Sequence, residues 1–241
     1  MTALLAFDTA TEHMSIALAA GDRVFTHESE GGALASARLI PAVMTLLEEA
    51  GVQLHELDAI AFGRGPGAFT GLRTACSVAQ GLAFGANKPV LPIDSLLAVA
   101  EDARGSDAES RVWVAMDTRM GEIYAAQYSY CTAQWQVLDA PHLITPDALN
   151  ERWRDEPPQR VAGNALPVFA DRLQAGAALL FPQALPRATA MLPLARALWL
   201  RGGSVDAALA LPLYLRDKVA QTTLEREAAR VAKEEAAGVA R

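Results

Sequence analysis

Val114-Ala115-Met116-Asp117-Thr118 repeats Leu5-Ala6-Phe7-Asp8-Thr9, with the second aspartate 109 residues after the first. Each run is a short apolar strand that ends in Asp-Thr, and each is followed by a polar turn and an alternating strand: Met14-Ser15-Ile16-Ala17-Leu18 in the first, Gly121-Glu122-Ile123-Tyr124-Ala125-Ala126 in the second. A shared dipeptide means little, but a shared strand–turn–strand frame at one lobe's length is the mark of an internal duplication. The chain is therefore expected to fold as two copies of one α/β lobe. Residues 1–102 would form the first copy, residues 103–215 the second, and residues 216–241 a charged tail, helical or disordered.

Within the first copy, Gly21-Asp22 is a hairpin turn, and Arg23 to Glu30 is the returning strand. Ser36 is placed to cap a helix that carries Leu39, Val43, Leu46, Leu47 and Ala50 on one face and stops at Gly51. Pro41 lies inside that span, so either the helix starts near Ile40 or its first turns are kinked. Asp58 to Phe62 is a strand, Phe69 to Ala86 a helix rich in small residues, and Pro89 to Ile93 a buried strand. Asp94 or Ser95 then caps a further helix. The order β-β-β-α-β-α-β-α is that of a ribonuclease H-like lobe with a mixed sheet flanked by helices. After a polar linker near Ala103 to Glu109, the second copy offers strands at Gln134 to Leu138, Arg160 to Ala162 and Ala177 to Phe181. Its helices start near Pro146, with Thr145 as cap, and run from Ala190 to Leu200.

Charge narrows the partners. The net charge is −7, and residues 1–100 hold five basic and ten acidic side chains. No basic stripe of the kind that holds a polyanion is present, so direct tRNA or DNA binding by this chain alone is not expected. The N-terminus has neither the basic start nor the apolar core of a signal peptide, and no run approaches the ~18 apolar residues of a membrane span. Cys76 and Cys131 are far apart and in no metal-ligand spacing, as in a reduced cytoplasmic protein.

Three places carry candidate chemistry. Asp8 and Asp117, with Thr9 and Thr11, end facing strands, where carboxylates would orient Mg²⁺ and turn amides would meet phosphates. The other reading is that each aspartate caps its own turn through an Asx hydrogen bond, and it is the preferred one for Asp117. Gly63, Gly65, Gly67 and Gly71 crowd a strand-to-helix junction, where Gly65 and Gly67 suit an anion at a helix N-terminus. No Gly-Lys-Ser/Thr closes that loop, so it is not a P-loop, and taken alone the turn is better explained by glycines that serve only packing. Finally, Gly71, Ala75, Ala79 and Ala83 form a stripe that would let a second helix approach closely, while Leu72, Val78 and Leu82 supply another apolar face. One helix seldom needs two apolar faces unless something covers the second. The expected partner interface is Thr70, Gly71, Leu72, Arg73, Ala75, Val78, Ala79 and Leu82, joined by Leu39, Val43 and Leu46. His13, His27, His55 and His142 form no ligand spacing, and no Ser/His/Asp constellation stands out.

Taken together, Ala6-Phe-Asp-Thr-Ala-Thr11, Ala61-Phe-Gly-Arg-Gly-Pro-Gly-Ala-Phe-Thr-Gly-Leu-Arg73, Val78-Ala-Gln-Gly-Leu-Ala83, Met116-Asp-Thr-Arg-Met-Gly-Glu-Ile-Tyr124 and Pro212-Leu-Tyr-Leu-Arg216 resemble the TsaB (YeaZ) family. Its members are bacterial proteins of tRNA threonylcarbamoyladenosine (t6A) biosynthesis. The resemblance implies a two-lobed fold of the actin/Hsp70-like ATPase superfamily in which the nucleotide site has decayed. It implies a non-catalytic, cytoplasmic subunit that pairs as a heterodimer with a catalytic paralogue, TsaD, in an assembly that includes the P-loop ATPase TsaE. It also implies a homodimer when alone, contact with tRNA only through the complex, and no required cofactor or metal, weak ATP, ADP or Mg²⁺ binding aside. Ala35-Ser36 stands where the family often has His-Ser, and Ala68 where serine is commoner, which weakens nucleotide or metal binding further. The competing reading is an active phosphotransferase or ATPase of the same fold that uses Asp8.

Overall fold

In the computed structural model, which describes residues 2–216, the repeated frame becomes two five-stranded sheets. The first holds β1 (Ala3–Asp8), β2 (His13–Ala20), β3 (Arg23–Glu30), β4 (Ala59–Gly65) and β5 (Val90–Asp94), in the order β3-β2-β1-β4-β5. The second holds β6 (Ser110–Asp117), β7 (Ile123–Cys131), β8 (Gln134–Ile144), β9 (Arg160–Ala162) and β10 (Leu179–Phe181), in the order β8-β7-β6-β9-β10. In each, three antiparallel strands are followed by two that add in parallel to the free side of the first. The ribonuclease H-like lobe is thus present twice. Central β1 is covered on both faces and reads as an unbroken apolar run, whereas edge strand β3 is mostly exposed and carries charges that discourage further pairing.

Among the described residues, six α-helices complete the layers: α1 (Ala35–Ala50), α2 (Phe69–Ala86), α3 (Ser95–Arg104), α4 (Pro146–Asp155), the short α5 (Ala165–Val168) and α6 (Ala188–Leu200). Leu39, Val43, Leu46 and Leu47 of α1, with Ala75, Ala79 and Ala83 of α2, pack on the outer face of the first sheet. Each such leucine contributes ~1.5–3 kcal/mol by leaving water. Leu149 and Trp153 of α4 and Leu166 of α5 cover the outer face of the second sheet.

The middle layer crosses the expected division of the chain. Helix α3 starts in the first half, yet its Leu96, Val99, Ala100 and Ala103 pack on the second sheet. Met191, Leu192, Leu194 and Ala195 of α6, from the second half, pack on Leu4, Ala6 and Ala17 of the first. After α6 the chain stays with the first lobe, where Val205 pairs with Val90 and the Ala210 carbonyl accepts from Cys76 Sγ. Residues 1–102 and 103–215 therefore delimit the two sheets but not the two packing units.

Local departures have simple causes. Helix α1 starts at Ala35, behind a 3-10 turn at Gly32–Leu34, and runs through Pro41 on its exposed side; neither Ser36 nor Ile40 begins it. Strand β8 continues past Leu138 to Ile144, because bulges against β7 let an edge strand carry Pro141. Thr145 caps α4 as expected, accepting from the Ala148 amide at 3.3 Å. Beyond Arg216 the charged tail lies outside the described residues. Among those described, no helix is long and apolar enough to cross a membrane.

Candidate functional site

Where β1 and β6 end, the lobes face each other across a cleft of about 140 Å³. Thr11 and Glu12 line it from the first lobe, Asp117, Thr118 and Arg119 from the second, and Gly67, Ala68, Phe69 and Leu72 from the loop before α2 and its first turn. Both Asp-Thr pairs are built the same way. Asp8 Oδ1 accepts from the Ala10 amide at 2.6 Å, and Asp117 Oδ1 accepts from the Arg119 amide at 2.9 Å, so each forms an Asx turn two residues long. Thr9 Oγ1 donates to the Gly71 carbonyl at 2.7 Å, and Thr118 Oγ1 to the Glu122 carbonyl at 2.9 Å.

The two acids differ in where they sit. Asp117 stays part-exposed on the cleft wall, its amide held by Asn164 Oδ1 at 2.9 Å. Asp8 is buried behind that wall, and its second oxygen accepts from Ser95 Oγ at 2.6 Å. Ser95 Oγ in turn accepts from the Gly65 amide at 3.2 Å. Burial raises the Asp8 carboxyl from 3.8 to about 6, against the lowering effect of the hydrogen bonds from Ser95 and Ala10. Both oxygens of Asp8 are thus engaged inside the wall, one by the Ala10 amide and the other by Ser95.

The glycines of the junction serve close approach. A Cβ on Gly63 would sit 1.7 Å from Asp8 Oδ2, and one on Gly71 would sit 1.8 Å from the Thr9 carbonyl oxygen. A Cβ on Gly67 would come within 2.6 Å of Ala10, and Gly65 has φ +107 with the Leu213 carbonyl over it. The loop is shaped around Asp8, Thr9, Ala10 and the C-terminal segment rather than around an open cradle. Nor do the side chains suit a nucleotide–Mg²⁺ pair: the carboxylate that would hold the metal is inside the wall, no lysine among the described residues lines the cleft, and Arg73 is engaged by Tyr214. Among the described residues, no three His, Cys, Asp or Glu side chains converge as a metal site.

The expected partner stripe is corrected by its burial. Leu39, Val43, Leu46, Leu72, Ala75, Val78 and Ala79 are core residues of the first lobe, and Gly71 is packed on Thr9. Small side chains along α2 let it lie close on its own sheet, so that is the approach the stripe serves. Thr70 and Arg73 remain exposed and Leu82 is half-buried. The exposed arc of α2 is Thr70, Arg73, Ser77, Gly81 and Phe84, and Phe84 keeps 85% of its surface in water. Beside it, Ile40 and Met44 of α1 are exposed, and Met44, Glu48, Gly85 and Ala86 share one groove between the two helices. The sequence contained a signal for this face. At 100° per residue Phe84 falls on the arc of Arg73, Ser77 and Gly81, away from Gly71 and Ala75, and a large apolar side chain on a polar arc needs a reason. Ser95, by contrast, lies in no motif, and only the fold brings it to Asp8.

Comparison with known proteins agrees with this geometry. Residues 34–223 match the family model described as TsaD: tRNA N6-adenosine threonylcarbamoyltransferase. The chain is 34% identical over 221 residues to the tRNA threonylcarbamoyladenosine biosynthesis protein TsaB of Escherichia coli strain K12, covering 90% of this chain and 96% of that one. It is 35% identical over 228 residues to the protein of the same name from Haemophilus influenzae, covering 90% and 94%. In structure it superposes on YeaZ from Pseudomonas aeruginosa with a TM-score of 0.82 and 39% identity, covering 89% of this chain and all of that one.

Proposed function

Because the chain belongs to the TsaB (YeaZ) family, whose members are proteins of tRNA threonylcarbamoyladenosine biosynthesis, we propose that it is the non-catalytic subunit of the complex that makes this modification. It pairs with a TsaD paralogue through the exposed α1–α2 face, and the paralogue carries the transfer of the threonylcarbamoyl group to the adenosine beside the anticodon of tRNAs reading A-starting codons. TsaE joins the same cytoplasmic assembly, tRNA is met only through it, and the free chain forms a homodimer on the same face. No cofactor is needed in this chain. The observation that carries the reading is Phe84, exposed at 85% on α2 of the lobe whose α1 also shows Ile40 and Met44 to water, while the aspartate of that lobe's Asp-Thr pair, Asp8, is buried. An isolated apolar face of that kind is covered when the protein works.

The test is co-purification with the paralogue from the same genome, followed by modification of tRNA by the reconstituted complex. Phe84→Glu is expected to abolish both co-elution and modification. Asp8→Asn is expected to leave modification within about threefold, ~0.6 kcal/mol in barrier terms. The competing reading, an ATPase or phosphotransferase using Asp8, expects the purified chain alone to turn over ATP and to lose that turnover in Asp8→Asn. Either result would replace the scaffold reading.

A further inference from the structure

The lobes are joined unequally on their two sides. Away from the cleft, α3 and α6 fill the space between the sheets with apolar side chains, and Glu101 of α3 accepts from Trp135 Nε1 of β8 at 2.7 Å. At the cleft mouth there is little packing. Glu12 meets Arg119 there, but these side chains are 71% and 60% exposed, and such pairs hold weakly.

A second connection does more. After α6 and its return to the first lobe, Pro212–Arg216 runs along the cleft and lines it with Leu213, Tyr214, Leu215 and Arg216. It is fixed to the first lobe at two points. The Leu213 amide donates to the Arg64 carbonyl at 2.6 Å, and Tyr214 packs on Phe69 of α2 with ring centroids 5.4 Å apart. Arg73 Nε donates to the Tyr214 hydroxyl at 3.2 Å while its guanidinium lies over Phe69 at 3.9 Å, so the aromatic pair is held from both sides. Two residues later Arg216 crosses to the second lobe and pairs with Glu122 in the turn between β6 and β7. Its side chain is only 17% exposed, which sets this pair apart from Glu12–Arg119.

We propose that Pro212–Arg216 is a clasp that holds the lobes closed over the cleft, with the Arg216–Glu122 ion pair as its latch. The rigid α3–α6 side acts as the hinge, and the clasp decides how much of the time the mouth stands open. Because the clasp is anchored on Phe69 and Arg73, it ties the first turn of α2 to the second lobe. The isolated full-length chain tests this, independently of any partner.

Hydrogen exchange is measured by mass spectrometry on peptides covering residues 66–72 and 117–122, with β1 as an internal control. Arg216→Glu and Glu122→Arg are each expected to speed exchange in both cleft peptides by about tenfold or more, with β1 unchanged. The double exchange, Arg216→Glu with Glu122→Arg, restores the pair with reversed sign and is expected to return exchange toward the wild-type rate. Wild-type rates in the single variants, or a double variant no slower than either single one, would overturn the clasp. Should a single swap lose protection in β1 as well, Glu122→Gln reads the same peptides with the fold intact, and unchanged exchange there overturns it equally.

Discussion

The two lobes share a strand order, an Asx turn and a threonine clamp, and they differ in what each has done with them. In the first lobe the aspartate is sealed behind the cleft wall, and the outer helices show Ile40, Met44 and Phe84 to water. In the second the aspartate stays part-exposed, and the outward side of α4 presents Asp147, Glu151, Arg152, Arg154 and Asp155. A charged outer layer is solvated and needs no cover; an apolar one does. Duplication preserved the frame while the exposed surfaces diverged, and the proposed function assigns docking to the first lobe.

The largest expected effect probes the core side of that docking helix. Ala79 is fully buried against α1 and the first sheet, so Ala79→Arg places an unpaired charge in the core. The variant is expected to lose more than ~4 kcal/mol and to fail to melt cooperatively by circular dichroism. A variant that folds normally and only fails to assemble would mean that α2 docks through its stripe, and the division between its two faces drawn above would be wrong.

Next come the two aspartates. The Asp8 carboxyl is raised from 3.8 to about 6, so folding disfavours its ionised form. For a raised acid, the contribution to stability is fully present below about pH 4 and is lost as pH rises through about 6, a span worth roughly 3 kcal/mol. Asparagine at this position keeps the bond from the Ala10 amide and removes the charge. Relative to Asp8→Asn, the wild type is therefore expected to lose stability between pH 4 and pH 7 in urea melts. Asp117→Asn, at a part-exposed site where asparagine still caps the turn, is expected to track the wild type within ~0.5 kcal/mol across that range. Equal pH profiles for the two variants would erase the distinction between the sealed and the open aspartate.

These two cases also show what the sequence made legible. Strand order, the Asx turns and the span of α2 follow from local pattern, because a strand ending in Asp-Thr and a helix between Phe69 and Asn87 are decided by nearby residues. The burial of Asp8 is not local. It needs Ser95 from the start of α3 and a missing side chain at Gly63 on β4, both far from Asp8 in sequence. The same holds for α2: its pattern showed two apolar faces, but which of them meets the sheet depends on the crossing geometry with α1. The exchange of α3 and α6 between lobes was hidden for a similar reason, since an apolar helix face carries no address for the sheet that covers it.

The docking face itself gives the third test. Phe84→Glu adds a charge to a side chain already in water, so the free chain is expected to melt within ~0.5 kcal/mol of wild type while its affinity for the paralogue falls about 100-fold, ~2.7 kcal/mol. Glu151→Lys on the matching outer helix of the second lobe is expected to leave that affinity within about twofold. Loss of binding in Glu151→Lys with none in Phe84→Glu would move the interface to the second lobe.

The smallest effect belongs to the one ion pair that joins the turns after the two Asp-Thr pairs. Glu12 and Arg119 are each well over half exposed, and both side chains must be ordered to meet. In high dielectric the Coulomb gain barely exceeds that ordering cost, so Glu12→Gln is expected to change stability by less than ~0.5 kcal/mol. The little it does cost should shrink further as salt rises from 0.05 to 0.5 M, because exposed charges are screened over ~10 Å or less. Cleft exchange in Glu12→Gln should also match the wild type, since the clasp and not this pair holds the mouth. A loss above ~1 kcal/mol that salt leaves unchanged would mean the two turns are sealed against each other in solution. The second lobe's aspartate would then be as enclosed as the first, and the contrast between the lobes would rest on their outer helices alone.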